Sequence, residues 1–162
     1  IMKKIKSKKF KKSLTVLLVL LVIYVIWRFM FKFIIWVNKV CYAKWWFTRE
    51  WCFIVEVAKT DKERQKWLMD RTNLKKNRWM IFVFEEEKNY SFWMKDTLIS
   101  LDIIRIDSQG KIVDIQTANP CDATLCPNYV PQGNAKYVLE INAWIAEKKW
   151  IKIWDTLTFK LK

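Results

Sequence analysis

Seven lysines between residues 3 and 12 (Lys3, Lys4, Lys6, Lys8, Lys9, Lys11 and Lys12) stand directly before an uncharged run, Leu14–Trp27. Hydrocarbon excludes ammonium groups and water excludes apolar side chains, so a basic cluster against an apolar wall reads as a cytoplasmic flank followed by a membrane segment. The run has 14 residues, whereas crossing about 30 Å of hydrocarbon takes about 20. Arg28 and Lys32 interrupt its continuation, yet their long stems can carry the charge to the far interface, where the neighbouring aromatic side chains are also at home. The chain is therefore expected to consist of a basic cytoplasmic arm (1–13), one transmembrane helix (14–37), a juxtamembrane linker (38–51) and an extracytoplasmic domain (52–162). Membrane lipid is the expected partner of the helix. The alternative is a cleaved secretory signal with its cut near Cys41-Tyr42-Ala43, which leaves the domain secreted.

Charge supports this division. Residues 1–52 carry 12 basic side chains and one acidic, Glu50, while residues 53–162 carry 18 basic and 15 acidic. Most of the basic excess thus sits in the arm, and the domain lacks the basic stripe of a nucleic-acid binder; no nucleic-acid partner is expected. The chain contains no histidine, which removes Ser-His-Asp and Cys-His nucleophilic sites and every zinc site built on imidazole. No metal and no cofactor are implied.

From Cys52 onward the pattern is one of short strands. Cys52–Ala58 alternates, with Phe53, Val55 and Val57 on one face. Thr60-Asp61-Lys62-Glu63 is a capping box that predicts a helix from there to about Thr72. Met80–Phe84 is apolar throughout, as in a strand covered on both faces, and Tyr90, Phe92 and Met94 alternate again. Leu101–Ile106 and Lys111–Thr117 flank Asp107-Ser108-Gln109-Gly110, a hairpin turn. Lys136–Ile141 reads as a strand, Asn142–Lys149 as a short helix and Thr156–Leu161 as a last strand. Six or seven strands and two short helices predict a β-rich α+β domain, a small antiparallel sheet or partly closed barrel.

Two features of this domain carry candidate chemistry. Cys121 and Cys126 lie between Pro120 and Pro127, and in an oxidising compartment they are close enough to form a disulfide across a small loop; free thiols or redox use are the alternatives, although the spacing is not CxxC. In the stretch Phe92–Thr97, an extended chain puts Trp93, Lys95 and Thr97 on one face. An indole, an ammonium and a hydroxyl in a row can line a shallow pocket for a polar or anionic ligand, with Asp102 and Glu140 as further members. The competing reading makes Trp93 core and pairs Lys95 with Asp96, Asp102 or Glu140. The carboxylates Asp102, Asp107, Asp114 and Glu140 also leave open an envelope hydrolase using acidic residues, but their spacing selects no pair. The expected function is thus extracytoplasmic binding of a small ligand or an envelope protein, without chemistry of its own.

The segments Glu63–Arg71, Trp79–Phe84, Phe92–Thr97 with Leu101-Asp102, Pro120-Cys121 with Cys126-Pro127, and Ala135–Ala143 resemble, in order and spacing, the domain of unknown function (DUF) family 192. The resemblance implies a compact β-rich domain, often secreted or membrane-anchored, with no established activity. The family motif usually has Asn where this chain has Asp96. Where the family has glycine, this chain has Trp67, Trp79, Trp144, Trp150 and Trp154. Composition points the same way, with 11 Trp and 2 Gly where a chain of this length ordinarily has roughly 11 Gly. Trp150, just past a short helix, and Trp154, before the last strand, occupy positions where the left-handed conformation favours glycine. The expectation is that the gene writes glycine as UGA and that these codons have been read as tryptophan, Trp93 being authentic. The alternative is a Trp-rich interfacial protein with Trp45 and Trp46 in a membrane belt.

Overall fold

The computed structural model describes residues 16–30, 32, 37–42, 51–66, 69, 71–74, 78–121 and 125–162. The basic arm and Trp45, Trp46 and Trp67 lie outside the described residues. The chain divides into two units, Ile1–Val37 and Asn38–Lys162. In the first, residues 16–30 form helix α1, and every one of these side chains is exposed. Among the described residues no helix is long and apolar enough to cross a membrane; residues 14, 15, 31 and 33–36 of the expected span lie outside them.

The second unit is a β-rich α+β domain built on a curled half-barrel sheet. Its strands are β1 (Lys39–Tyr42), β2 (Trp51–Ala58), β3 (Arg78–Lys88), β4 (Phe92–Trp93), β5 (Leu101–Ile106), β6 (Ile112–Ala118), β7 (Asn128–Tyr129), β8 (Ala135–Asn142) and β9 (Leu157–Lys160), with helices α2 (Asp61–Lys66) and α3 (Ile145–Lys148). Seven strands form one sheet in the order β6-β5-β8-β3-β2-β1-β9, and β4 and β7 pair separately. The sheet is mixed, since β2 and β3 run parallel, whereas the sequence predicts antiparallel pairing. The reason is the capping box. Thr60 Oγ1 accepts from the Glu63 amide at 3.3 Å and Glu63 Oε2 accepts from the Thr60 amide at 2.9 Å, starting a helix that provides the crossover a parallel pair requires. Helix α2 ends at Lys66 and residues 71–74 are not helical, short of the expected end near Thr72.

The expected linker also differs. Lys39–Tyr42 is a strand inside the sheet, paired with β2 on one side and β9 on the other, and its Val40 and Tyr42 are buried. Cys41 lies directly opposite Cys52 and the two form a disulfide with Cα atoms 4.0 Å apart. In the chain-entropy view this bridge stabilises by about 3 kcal/mol. Cys121 and Cys126 form the second disulfide, so all four cysteines are paired.

At the open edges the sheet curls until β6 and β9 nearly meet, through a bridge between Lys111 and Thr156 and a hydrogen bond from the Leu157 amide to the Gly110 carbonyl at 2.7 Å. Gly110 is required twice over: its φ is +86°, and a Cβ there would stand 2.4 Å from the Leu157 carbonyl oxygen. Inside the curl, Val40, Val55, Ile81, Ile104, Ile106, Leu139 and Ile141 are buried. Strands β3, β5 and β8 lie side by side within the sheet, and Met80, Ile81 and Phe82 of β3 are buried on both of its faces, which is why Met80–Phe84 does not alternate.

Three tryptophans adopt a left-handed backbone that, among the described non-glycine residues, only Asp96 shares. The described non-glycine residues with positive φ are Asp96, Trp144, Trp150 and Trp154. Trp150 follows the Lys149 C-cap of α3, and its amide reaches the Glu147 carbonyl while that of Ile151 reaches Ala146. That is the bonding of a Schellman motif, whose left-handed position is normally glycine. Trp154 is the third residue of a turn closed by the Asp155 amide on the Lys152 carbonyl at 3.1 Å, where positive φ again selects glycine. Trp144 is the N-cap of α3 at φ 68° with no side-chain capping bond. Trp79 differs, for it lies in β3, buried against the Phe53 ring, with its Nε1 unpartnered.

Candidate functional site

The turn after β4 sets the site. Phe92 and Trp93 pair with Tyr129 and Asn128 of β7, and the Thr97 amide closes back on the Met94 carbonyl at 3.1 Å with Asp96 left-handed at φ 56°. Aspartate tolerates that conformation better than most residues. Phe92–Thr97 is thus a two-residue strand followed by a tight turn, not the extended segment the alternation predicts. Lys95 stands exposed at the turn, its Nζ 5.5 Å from the centre of the Trp93 ring, while Met94 and Thr97 are buried. Lys95 and Thr97 each bridge to Cys121, so the Cys121–Cys126 disulfide, just before β7 in the chain, anchors the turn.

Trp93, Lys95, Thr97 and Glu140 line one cavity of about 670 Å³, within the range of small-molecule sites. Its walls are aromatic. Phe82 meets Phe92 edge-on at 5.4 Å, and Phe84 stacks on Tyr90 at 3.7 Å. Helix α2 forms the other side. It is tied down by Arg64, which donates to the Val83 carbonyl at 2.9 Å and to Asp61 at 2.6 Å and lies over the Phe84 ring.

Glu140 lies on the inner strand β8, between Met80 of β3 and Ile103 of β5. It is buried, and its Oε2 has no hydrogen-bond partner. Lys95 does not pair with it; among the described residues Lys95 makes no ion pair. Burial pushes the Glu140 carboxyl up to about 8, against the opposing pull of Arg105. An unfolded chain releases this proton near 4.5, so between those values the folded state holds a proton that the unfolded state has lost. Stability therefore falls as pH rises across that window, by on the order of 1 kcal/mol per pH unit. Glu140→Gln is expected to remove this share of the slope, read from urea unfolding at pH 5, 6.5 and 8. Parallel slopes for the two proteins would refute the assignment.

Asp102 is not part of this cavity. It faces the opposite side of β5, where Oδ1 accepts from Thr117 at 2.8 Å and Oδ2 from the Ala146 amide at 2.9 Å. It supplies the helix cap that Trp144 cannot, and its role is structural.

The residue that sequence reasoning missed is Arg105. Fully buried, it donates to Asp114 and Gln116, both at 2.9 Å, and to the Tyr129 carbonyl. It stands on the Glu140 face of β5 and holds β7, and through it β4, against the sheet. A lone basic residue inside Leu101–Ile106, with an aspartate across the hairpin at its register position, was a legible signal.

The fold and site define a small β-rich domain with an aromatic cavity closed by an inner-strand carboxyl. The chain belongs to the uncharacterised ACR family, domain of unknown function 192, whose family model matches residues 47–159. It is 30% identical over 114 residues to a UPF0127 protein of Thermococcus sibiricus, covering 69% of this chain and 70% of that one. A crystallised protein of unknown function from Novosphingobium aromaticivorans superposes with a TM-score of 0.65 at 31% identity, covering 74% of this chain and 83% of that one. A Sinorhizobium meliloti structure described as a "putative transcription regulator" superposes with a TM-score of 0.66 at 28% identity, covering 75% and 92%.

Proposed function

We propose that the domain binds a small ligand in the cavity between α2, β3 and the Phe92–Thr97 turn. The observation that carries this reading is that Trp93, Lys95 and Thr97 converge with the sequence-distant Glu140 on one aromatic cavity whose wall contains a buried carboxyl oxygen with no partner. A buried polar atom left unpaired costs about 1–3 kcal/mol, and a ligand that hydrogen-bonds it recovers that cost. The hydrolase alternative has less support. The other carboxylate on this cavity, Asp61, is bonded to Arg64 and its side chain is 87% exposed, so it is poorly placed to work with Glu140. Benzyl alcohol titrated into the full-length protein should shift NMR signals of Phe92–Thr97 and Glu140, and Trp93→Ala, at an exposed ring, should weaken this at least several-fold with little change in melting temperature. Unchanged binding with a lowered melting temperature would retire the cavity as a site.

We further infer that α1 belongs to a membrane anchor with the domain outside. Seven lysines precede it, and its apolar side chains are exposed on all sides, from 53% to 77%, as for a helix meant for lipid and unlike one with a face for a protein core. Two disulfides suit an oxidising compartment. Protease added to intact cells, or once an outer barrier is opened, should digest the domain; protection in both cases would reverse the topology.

The tryptophan anomaly is best read as recoding: UGA codons for glycine at 144, 150 and 154. Three left-handed positions, each bearing an exposed indole, support this over a membrane belt, because a belt has no need of positive φ. For Trp79 the support is its unpartnered Nε1 and the resemblance alone. UGG codons at these positions would sink the idea.

A further inference from the structure

The charges around the cavity carry the ligand-binding reading one step further. Arg64 and Asp61 line it as a bonded pair and cancel. Lys62 and Lys95 also line it, are exposed, and have no carboxylate partner among the described residues. Asp96, next to Lys95 in the chain, is not among the lining residues. The remaining acid, Glu140, is buried in an apolar setting that favours its neutral form. The cavity thus offers two exposed, uncompensated cations, aromatic walls and a buried carboxyl with an unpartnered oxygen.

Resting on the binding proposal above, we propose that the ligand is a small organic anion. Its charged end lies between Lys62 and Lys95, its apolar body lies against Phe82, Phe92 and Trp93, and a polar group at its inner end meets Glu140. A cationic ligand fits less well, because the Lys95 ammonium already over the Trp93 ring would repel it.

Three probes with one ring and different charge decide the matter: benzoate, benzyl alcohol and benzylamine, titrated at pH 7 and low salt into the full-length protein and read at the cavity's NMR signals. Benzoate should bind roughly tenfold more tightly than benzylamine, a ratio within reach of two exposed charges. In Lys62→Met/Lys95→Met the ratio of benzoate to benzylamine affinity should fall to about one, and 0.5 M salt should also shrink it; a ratio that stays tenfold would overturn the assignment of the charged end. Glu140→Gln should retain the preference for the anion. Equal binding of the charged probes, or tighter binding of benzylamine, would overturn the anion assignment while leaving the cavity a binding site. Absence of cavity shifts with all three would overturn the binding proposal itself.

Discussion

Trp144→Gly, Trp150→Gly and Trp154→Gly, combined in one protein, are expected to raise the melting temperature by about 10 °C. A left-handed backbone costs a residue with a Cβ about 1–2 kcal/mol, and the freedom glycine adds to the unfolded chain returns about 0.5–1 kcal/mol of that. The net gain is about 1 kcal/mol per site, or about 3 kcal/mol together, and for a domain of this size each kcal/mol moves the transition by a few degrees. Nothing in the core opposes the change, since the three indoles are 63%, 70% and 69% exposed. Trp144 and Trp150 flank the same short helix, so their effects are best measured singly and as a pair. Calorimetry of the triple variant against the parent is the check, and a melting temperature that stays level or falls would establish that the indoles contribute contacts of their own.

The opposite effect, a loss of about 3–5 kcal/mol, is expected for Arg105→Met. The guanidinium and the Asp114 carboxylate are both withdrawn from water, with 0% and 3% of their side chains exposed, so removing the cation leaves a buried charge without its partner. The double variant Arg105→Met/Asp114→Leu should recover much of the loss, because the expense lies in the orphaned carboxylate more than in the missing pair. Arg105→Met should also loosen β7, which the guanidinium holds at the Tyr129 carbonyl, and thereby weaken benzoate binding beyond the effect of stability. Urea unfolding of both proteins, with the benzoate titration repeated, tests the two parts; a single-variant loss under 1 kcal/mol would show that the pair is not desolvated as described.

Much of this architecture is local and therefore readable along the chain. The β5–β6 hairpin follows from Asp107, whose Oδ1 accepts from the Gln109 and Lys111 amides, and from Gly110; α2 begins where Thr60 and Glu63 can cap each other; the positive φ of Trp150 and Trp154 follows from helix-end and turn chemistry. The Cys121–Cys126 bridge closes a loop short enough to be seen in the spacing. What sequence could not determine depends on which strands become neighbours. Lys39–Tyr42 carries too few residues to announce itself as a strand, and becomes one only because β2 and β9 present unpaired edges on either side of it; with it comes the Cys41–Cys52 bridge, a consequence of register. The same holds for the site. Trp93, Lys95 and Thr97 are close in sequence, but Glu140 joins them, and Asp102 is sent to the far face, only through the pleat and pairing of β5 with β8. Side chains one residue apart on a strand point to opposite faces, so a carboxyl's membership of the cavity is decided by sheet register, a quantity that exists only once the chain has folded.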